Sequence, residues 1–71
     1  MYAEERQHEI VTRAREFGRV SVAELATRYD VTPETIRRDL DALSARGLLS
    51  RVHGGAVPAD KLRLEEASLT I

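Results

Sequence analysis

Two adjacent arginines, Arg37 and Arg38, are the residues of this chain with the clearest potential for chemistry. They occur near the start of a predicted helix, where Thr35 and both arginines project outward and where the helix dipole is positive. A guanidinium group binds guanine O6 and N7 in bidentate fashion, and it also binds phosphates. This arrangement predicts a helix that reads the major groove of double-stranded DNA. The alternative is a solvated helix face on which Glu34 pairs with Arg38.

A second group of candidate residues lies further along the chain. Arg51 and His53 precede Gly54-Gly55, and a two-glycine centre between short apolar segments is typical of a β-hairpin turn. Glycines allow backbone amides to approach a phosphate or to enter a narrow groove. The pattern indicates a basic hairpin tip, or wing, that touches DNA. The alternative is an ordinary turn with a solvated histidine.

Two predicted helix starts are also able to bind phosphates. Ser21-Val22-Ala23-Glu24 has the sequence of a capping box, and Thr32 followed by Pro33 is a second N-cap signal. We expect Ser21 and Thr32 to act mainly as helix caps. A capped amino terminus can bind anions as well. The predicted DNA-binding residues are Ser21, Thr32, Pro33, Glu34, Thr35, Arg37, Arg38, Arg51, His53, Gly54 and Gly55.

Other kinds of chemistry have little support in the sequence. The chain has no cysteine, and its two histidines, His8 and His53, fall in different predicted elements. The adjacent pairs Glu4-Glu5 and Glu65-Glu66 do not converge on a helix or strand, and no glycine-rich phosphate loop occurs. We therefore expect no enzyme activity, no metal site and no cofactor. No apolar run is long enough to span a membrane, which favours a cytoplasmic protein without a membrane partner.

Three predicted helices must position the candidate residues. The first runs from about Ala3 to Phe17, the second from the serine cap to about Tyr29, and the third from the threonine cap to Gly47. Aromatic residues are only 4% of the chain, so the core must be mainly aliphatic. The positions expected to face inward are Ile10, Ala14, Phe17, Val22, Leu25, Ala26, Tyr29, Ile36, Leu40 and Leu43.

The connections between these elements predict the architecture. The link between the second and third helices is short and polar, which is typical of a helix-turn-helix. A short extended segment at Arg19-Val20 could pair with the hairpin, which Pro58 closes. Three helices packed on a small β-hairpin form a winged helix-turn-helix, a mainly α fold.

The distribution of charge is more informative than its total. The net charge is −1 and the pI is near 6.1, which is low for a nucleic-acid binder. The segment from Thr35 to His53 sums to +2, whereas the first nine residues sum to −2. This separation would orient a polyanion. The low total leaves open a second hypothesis, a winged helix that binds a protein and no nucleic acid.

Three segments of the chain carry a family resemblance. They are Arg6 with Ile10, then Thr32 with Thr35-Ile36-Arg37-Arg38-Asp39-Leu40, then Gly47-Leu48-Leu49 with Arg51-Val52-His53-Gly54-Gly55-Ala56. In this order and spacing they resemble the DNA-binding domain of the DeoR family of bacterial transcription regulators. The resemblance covers about residues 6–57.

The resemblance implies a repressor of a sugar or related catabolic operon. It also implies a C-terminal domain that binds a phosphorylated sugar or similar effector and drives homo-oligomerisation. We accordingly expect residues 1–57 to be the winged helix-turn-helix domain and residues 58–71 to be a linker toward that effector-binding domain. Asp39 matches the family motif, but its helical angle turns it toward the core, so we expect it to be a structural partner of an arginine or a helix end.

Overall fold

The computed structural model describes residues 1–59, which form three helices and three short strands. The elements, in chain order, are α1 (Ala3–Phe17), β1 (Val20–Ser21), α2 (Val22–Tyr29), α3 (Pro33–Ala45), β2 (Leu49–Val52) and β3 (Gly55–Pro58). The predicted winged helix-turn-helix is confirmed. Residues 60–71, most of the predicted linker, lie outside the described part. Within residues 1–59, no helix has the length and apolar character needed to cross a membrane.

Three helix ends lie at the predicted caps, and α3 ends at Ala45, two residues before the predicted Gly47. Gly18 has a φ of 87° after α1, and its N–H donates to the Ala14 carbonyl at 2.8 Å. The Ser21 hydroxyl accepts a hydrogen bond from the Glu24 N–H at 3.3 Å at the start of α2. The Thr32 hydroxyl does the same for α3, whose first residue is a proline. Each cap satisfies a backbone group that a helix end leaves without an intrahelical partner.

The turn between α2 and α3 depends on a non-glycine residue with positive φ. Asp30 has a φ of 54°, a conformation that aspartate tolerates better than most residues. Its N–H donates to the Thr27 carbonyl at 3.3 Å, and the Val31 N–H donates to the Ala26 carbonyl at 3.0 Å. These bonds end α2 and redirect the chain at once, so the amino end of α3 follows α2 directly.

Aliphatic side chains from all three helices and the sheet form the core. Its buried residues are Ile10, Val11, Ala14, Val20, Val22, Leu25, Ala26, Ile36, Leu40, Leu43, Leu49 and Ala56. The prediction that Phe17 belongs to this core is wrong, because its side chain is 63% exposed. Phe17 lies in the last turn of α1 and lines an open groove of about 890 Å³ beside α2, where none of the elements formed by residues 1–59 covers its ring. The Arg13 guanidinium lies 5.1 Å from the ring centroid.

A polar contact between side chains supports the packing of α1 against α2. The Tyr29 hydroxyl donates a hydrogen bond to Glu9 Oε1 at 3.1 Å, and the tyrosine ring is partly buried against the core. Burial of the phenol, together with this hydrogen bond, raises the pKa of Tyr29 above its ordinary value. Tyr29 therefore packs as predicted while its polar end remains bonded at the surface.

The three strands form an antiparallel sheet in the order β1-β3-β2. The extended segment before α2 does pair with the hairpin, as β1, although it comprises Val20–Ser21 and not Arg19-Val20. The two-residue turn is also displaced by one position from the prediction. It consists of His53-Gly54, because Gly55 already pairs with Val52 on one side and with Ser21 on the other.

The strand β3 extends one residue beyond the predicted domain end. Pro58 is buried and pairs with Leu49, so it is a strand residue and belongs to the folded unit. A proline is acceptable there because β1 pairs only with Gly55 and Ala56, so Pro58 has a neighbouring strand on one side alone, as in an edge strand.

Gly55 is required by a close approach of two backbones. A Cβ atom at this position would lie 1.9 Å from the Val20 carbonyl oxygen. Gly54 differs, because its φ is 75° and a Cβ atom there would meet nothing within 4 Å. Glycine is therefore required at position 55 by the contact with β1, and it is favoured at position 54 by the left-handed backbone conformation.

This difference predicts unequal effects of the same substitution. Gly55→Ala forces a methyl group into the β1 backbone, so we expect the free energy of unfolding to fall by about 3 kcal/mol or more. Gly54→Ala, the matched control, adds its methyl in open space and should cost about 1–2 kcal/mol for the left-handed conformation. Urea denaturation followed by circular dichroism measures both. Equal losses in the two variants would contradict the close approach of Gly55 to the β1 backbone.

Candidate nucleic-acid interface

The amino end of α3 is held by a compact pair of threonines. The Thr32 hydroxyl accepts from the Thr35 N–H at 3.1 Å and lies 3.0 Å from the Thr35 hydroxyl. Thr32 and Pro33 are exposed, and Thr35 is half-buried. The helix therefore presents an exposed, capped positive end whose side-chain geometry is fixed before any ligand arrives.

Four charged residues form the exposed face of α3, which we call the reading face: Glu34, Arg37, Arg38 and Asp41. Arg38 Nη2 donates to Glu34 Oε1 at 3.3 Å, and the two side chains are 79% and 73% exposed. The salt bridge considered as an alternative to DNA contact is thus present. Within residues 1–59, Arg37 has no carboxylate oxygen within 4 Å, so its guanidinium is available to a ligand.

The wing contributes exposed and tethered residues. His53 and Gly54 form the exposed tip. Arg51, in contrast, lies across the sheet toward α3, where its Nη1 donates to Asp41 Oδ1 at 2.5 Å and its Nε donates to the Gly55 carbonyl at 3.3 Å. The sequence analysis did not select Asp41 as a site residue. Asp41 lies two turns after Glu34 on the same exposed side of α3, and this spacing could have identified it as a residue of the same surface.

Direct contacts join the three groups of predicted residues into one connected surface. The cap of α2 touches the wing, because Ser21 pairs with Gly55 and the Val22 N–H donates to the Gly54 carbonyl at 2.9 Å. The wing touches α3 through the Arg51 side chain. Gly55 itself is buried, so within this surface it acts as a strand residue that lets β1 approach.

A buried ion pair attaches α1 to the inner side of α3. Arg6 donates through Nε and Nη2 to the two carboxylate oxygens of Asp39, and Gln7 Nε2 donates to Asp39 Oδ1 at 3.0 Å. The Arg6 and Asp39 side chains are only 11% and 5% exposed. The hydrogen bond to Asp39 raises the pKa of Arg6, which therefore stays charged. The expectation that Asp39 pairs with an arginine is confirmed.

Carboxylates and histidines do not gather elsewhere in the described part of the chain. Among residues 1–59, no three His, Asp or Glu side chains converge in a way that could hold a metal ion. The charged side chains of the connected surface are those of the reading face and Arg51 of the wing. Within residues 1–59, Arg38 and Arg51 are paired with carboxylates and Arg37 is not.

Comparison with known families decides which kind of protein this is. The model of the DeoR-like helix-turn-helix domain matches residues 6–62, most of the chain. The chain belongs to the DeoR-like helix-turn-helix family. DeoR-like domains bind DNA in bacterial transcription regulators, and the winged helix of this chain agrees with that function.

Several curated proteins are similar to this DeoR-like chain. The L-fucose operon activator of Haemophilus influenzae is 60% identical over 40 residues, which cover 56% of this chain and 16% of that protein. The lactose phosphotransferase system repressor of Lactococcus lactis is 43% identical over 73% of this chain and 23% of its own length. The glycerol-3-phosphate regulon repressor of Escherichia coli is 42% identical over 73% of this chain and 21% of its own length. The DeoR-like chain thus spans less than a quarter of each of these relatives, and no solved structure gives a significant match.

The buried and the exposed ion pairs predict losses of stability of very different size when a carboxylate charge is removed. Asp39→Asn leaves the Arg6 charge buried without a counter-ion, so we expect a loss of about 3–5 kcal/mol in the free energy of unfolding. Glu34→Gln breaks an exposed pair and should cost no more than about 0.5 kcal/mol. Urea denaturation compares the two variants. A cost for Asp39→Asn as small as that for Glu34→Gln would exclude a structural role for the buried pair.

Proposed function

We propose that this chain is a sequence-specific domain for double-stranded DNA, with α3 in the major groove. One observation carries the proposal: Arg37 lies exposed, without a carboxylate partner in residues 1–59, beside Arg38 near a capped helix amino end. A major groove admits an α-helix, and residues near the amino end of the second motif helix reach base edges in helix-turn-helix proteins. Arg37 and Arg38 would bind bases or phosphates, with Thr35 and Glu34 beside them.

The wing and the caps would add contacts to the sugar-phosphate backbone. His53 and Gly54 are exposed at the tip, where they would touch the adjacent minor groove or the backbone. The amino ends of α2 and α3, capped by Ser21 and Thr32, would bind phosphates through their backbone N–H groups. Such contacts set orientation, and the base contacts of α3 set specificity. Pro33 and Arg51 would border the same backbone path.

At the level of the whole protein, we propose a transcription repressor of sugar or related catabolic genes. The relatives are named for an L-fucose operon, a lactose phosphotransferase system and a glycerol-3-phosphate regulon, and two of the three are named repressors. In this proposal, the residues after Pro58 contain the linker toward a C-terminal domain that binds a phosphorylated sugar or similar effector. The whole protein would be a cytoplasmic, nucleoid-associated homo-oligomer without enzyme activity. Its oligomerisation would place two DNA-binding domains on adjacent half-sites.

A winged helix that binds a protein is the second candidate. The net charge of −1 favours it, as does the exposed ring of Phe17 in the groove between α1 and α2. Arg37 and the exposed wing tip favour DNA instead. The two candidates differ in their response to salt, because each neutralised phosphate contributes about −0.9 to the log–log slope of DNA affinity against salt.

An isotope-edited NMR titration with a short random-sequence DNA duplex at low salt tests the DNA-binding proposal. We expect shifts at residues 32–38 and 53–54 that fade as salt rises. An unperturbed spectrum would show that the chain lacks the sequence-independent binding that every DNA-reading domain has. That result would favour the protein-binding candidate. Shifts confined to Arg13, Phe17 and Arg28 would instead identify the groove as the binding surface.

The role of Arg37 can be separated from that of total charge. With a duplex obtained by in vitro selection on the wild-type chain, Arg37→Ala should cost about 1–3 kcal/mol in binding and relax the preference at one base pair. Arg15→Ala, an exposed arginine on α1, removes the same charge and is the matched control. Fluorescence anisotropy measures both affinities. An equal loss on selected and random duplexes would make Arg37 a phosphate contact.

A further inference from the structure

The reading face carries carboxylates as well as arginines, and they hold particular partners. Glu34 accepts from Arg38 at 3.3 Å, and Asp41 accepts from Arg51 at 2.5 Å. Three of these four side chains are at least 67% exposed, and Arg51 is 32% exposed. The surface proposed to meet DNA therefore presents two cations that are already neutralised and one, Arg37, that is not.

A phosphate that approaches this surface must compete with a carboxylate. If Arg38 turns to a phosphate, Glu34 is left without its partner and faces a polyanion. If the pair stays closed, the carboxylate repels the same phosphate. The Asp41–Arg51 pair presents the same choice beside the wing. In both cases any DNA backbone, whatever its sequence, meets an electrostatic cost.

Certain base pairs are able to reverse this cost. A carboxylate in the major groove accepts a hydrogen bond from the cytosine N4 amino group, and the arginine it releases is then free to donate to guanine. The carboxylates repel the phosphates of every DNA sequence, and only certain base pairs compensate this repulsion with hydrogen bonds. The repulsion therefore increases the difference in affinity between those sequences and all others. The low net charge of the chain fits the same scheme, since specificity here does not depend on a large positive field.

We propose that Glu34 and Asp41 are specificity-determining residues, which hold Arg38 and Arg51 away from phosphates and so suppress sequence-independent DNA binding. This inference rests on the DNA-binding function proposed above. Exposed ion pairs are worth about 0.2–1 kcal/mol, so each pair accounts for up to about a fivefold change in affinity. The effect is modest for each pair, and it applies to every random site that the domain meets.

The test is binding of a short random-sequence duplex to the 71-residue chain across a salt series, measured by fluorescence anisotropy. Glu34→Gln and Asp41→Asn keep the side-chain shapes and remove the charges. We expect each variant to bind the random duplex about two- to fivefold more tightly at low salt. We also expect each log–log salt slope to steepen by up to about 0.9, because a released arginine gains a phosphate. In an Arg38→Ala background, Glu34→Gln should leave the log–log salt slope unchanged, because no arginine is then released to gain a phosphate.

Glu16→Gln is the matched control for charge alone, because Glu16 is exposed on α1 and pairs with no arginine of the reading face or wing. Equal tightening by Glu16→Gln and Glu34→Gln would overturn the inference in favour of net charge. Unchanged or weaker binding by Glu34→Gln and Asp41→Asn would overturn it as well. If the wild-type chain and all variants fail to bind at every salt concentration, the proposed DNA-binding function itself fails with the inference.

Discussion

The orientation of α3 depends on the buried pair between Arg6 and Asp39. Asp39 is buried in the middle of a helix whose neighbouring residues, Arg37 and Arg38, are exposed. Residues one and two positions apart on a helix differ by about 100° and 200° in direction, so an inward Asp39 places Arg37 on the opposite face and Arg38 to the side. A buried ion pair adds little net stability compared with apolar packing. Its two hydrogen bonds from Arg6 specify the rotation of α3 against α1 in addition to the aliphatic contacts.

Contacts between residues close in the chain were predictable from the sequence. The caps at Gly18, Ser21 and Thr32 each involve a partner three or four residues away, and each occurs where its signal predicts. The apolar spacing predicted the inner stripe of α3 for the same reason. The inward direction of Asp39 followed from its angle, although the identity of its partner, Arg6, needed the tertiary structure.

The pairing of β1 with the hairpin was expected, but exact registers and side-chain partners that depend on distant parts of the chain were not predictable. The turn was expected at Gly54-Gly55 because a two-glycine centre is a common local pattern. The turn is displaced because Gly55 pairs with Ser21 of β1 and is therefore a strand residue. More than half of the described chain separates these two residues in sequence. Phe17 has the right angle for the core, but no element in the described part of the chain lies over the last turn of α1. The Asp41–Arg51 pair likewise joins two elements whose relative placement only the fold determines.

The order of the strands has a consequence for how this domain is made. The strand β3 is last in the chain among the described elements and central in the sheet, so β1 and β2 each depend on it for their pairing. A growing chain that has reached Gly54 holds all three helices but no sheet. The inner side of α1, including Ile10 and Ala14, then lacks part of its cover. Completion of the sheet on the ribosome must therefore wait until Pro58 has left the exit tunnel, so the wing of this domain is the last of its described parts to form.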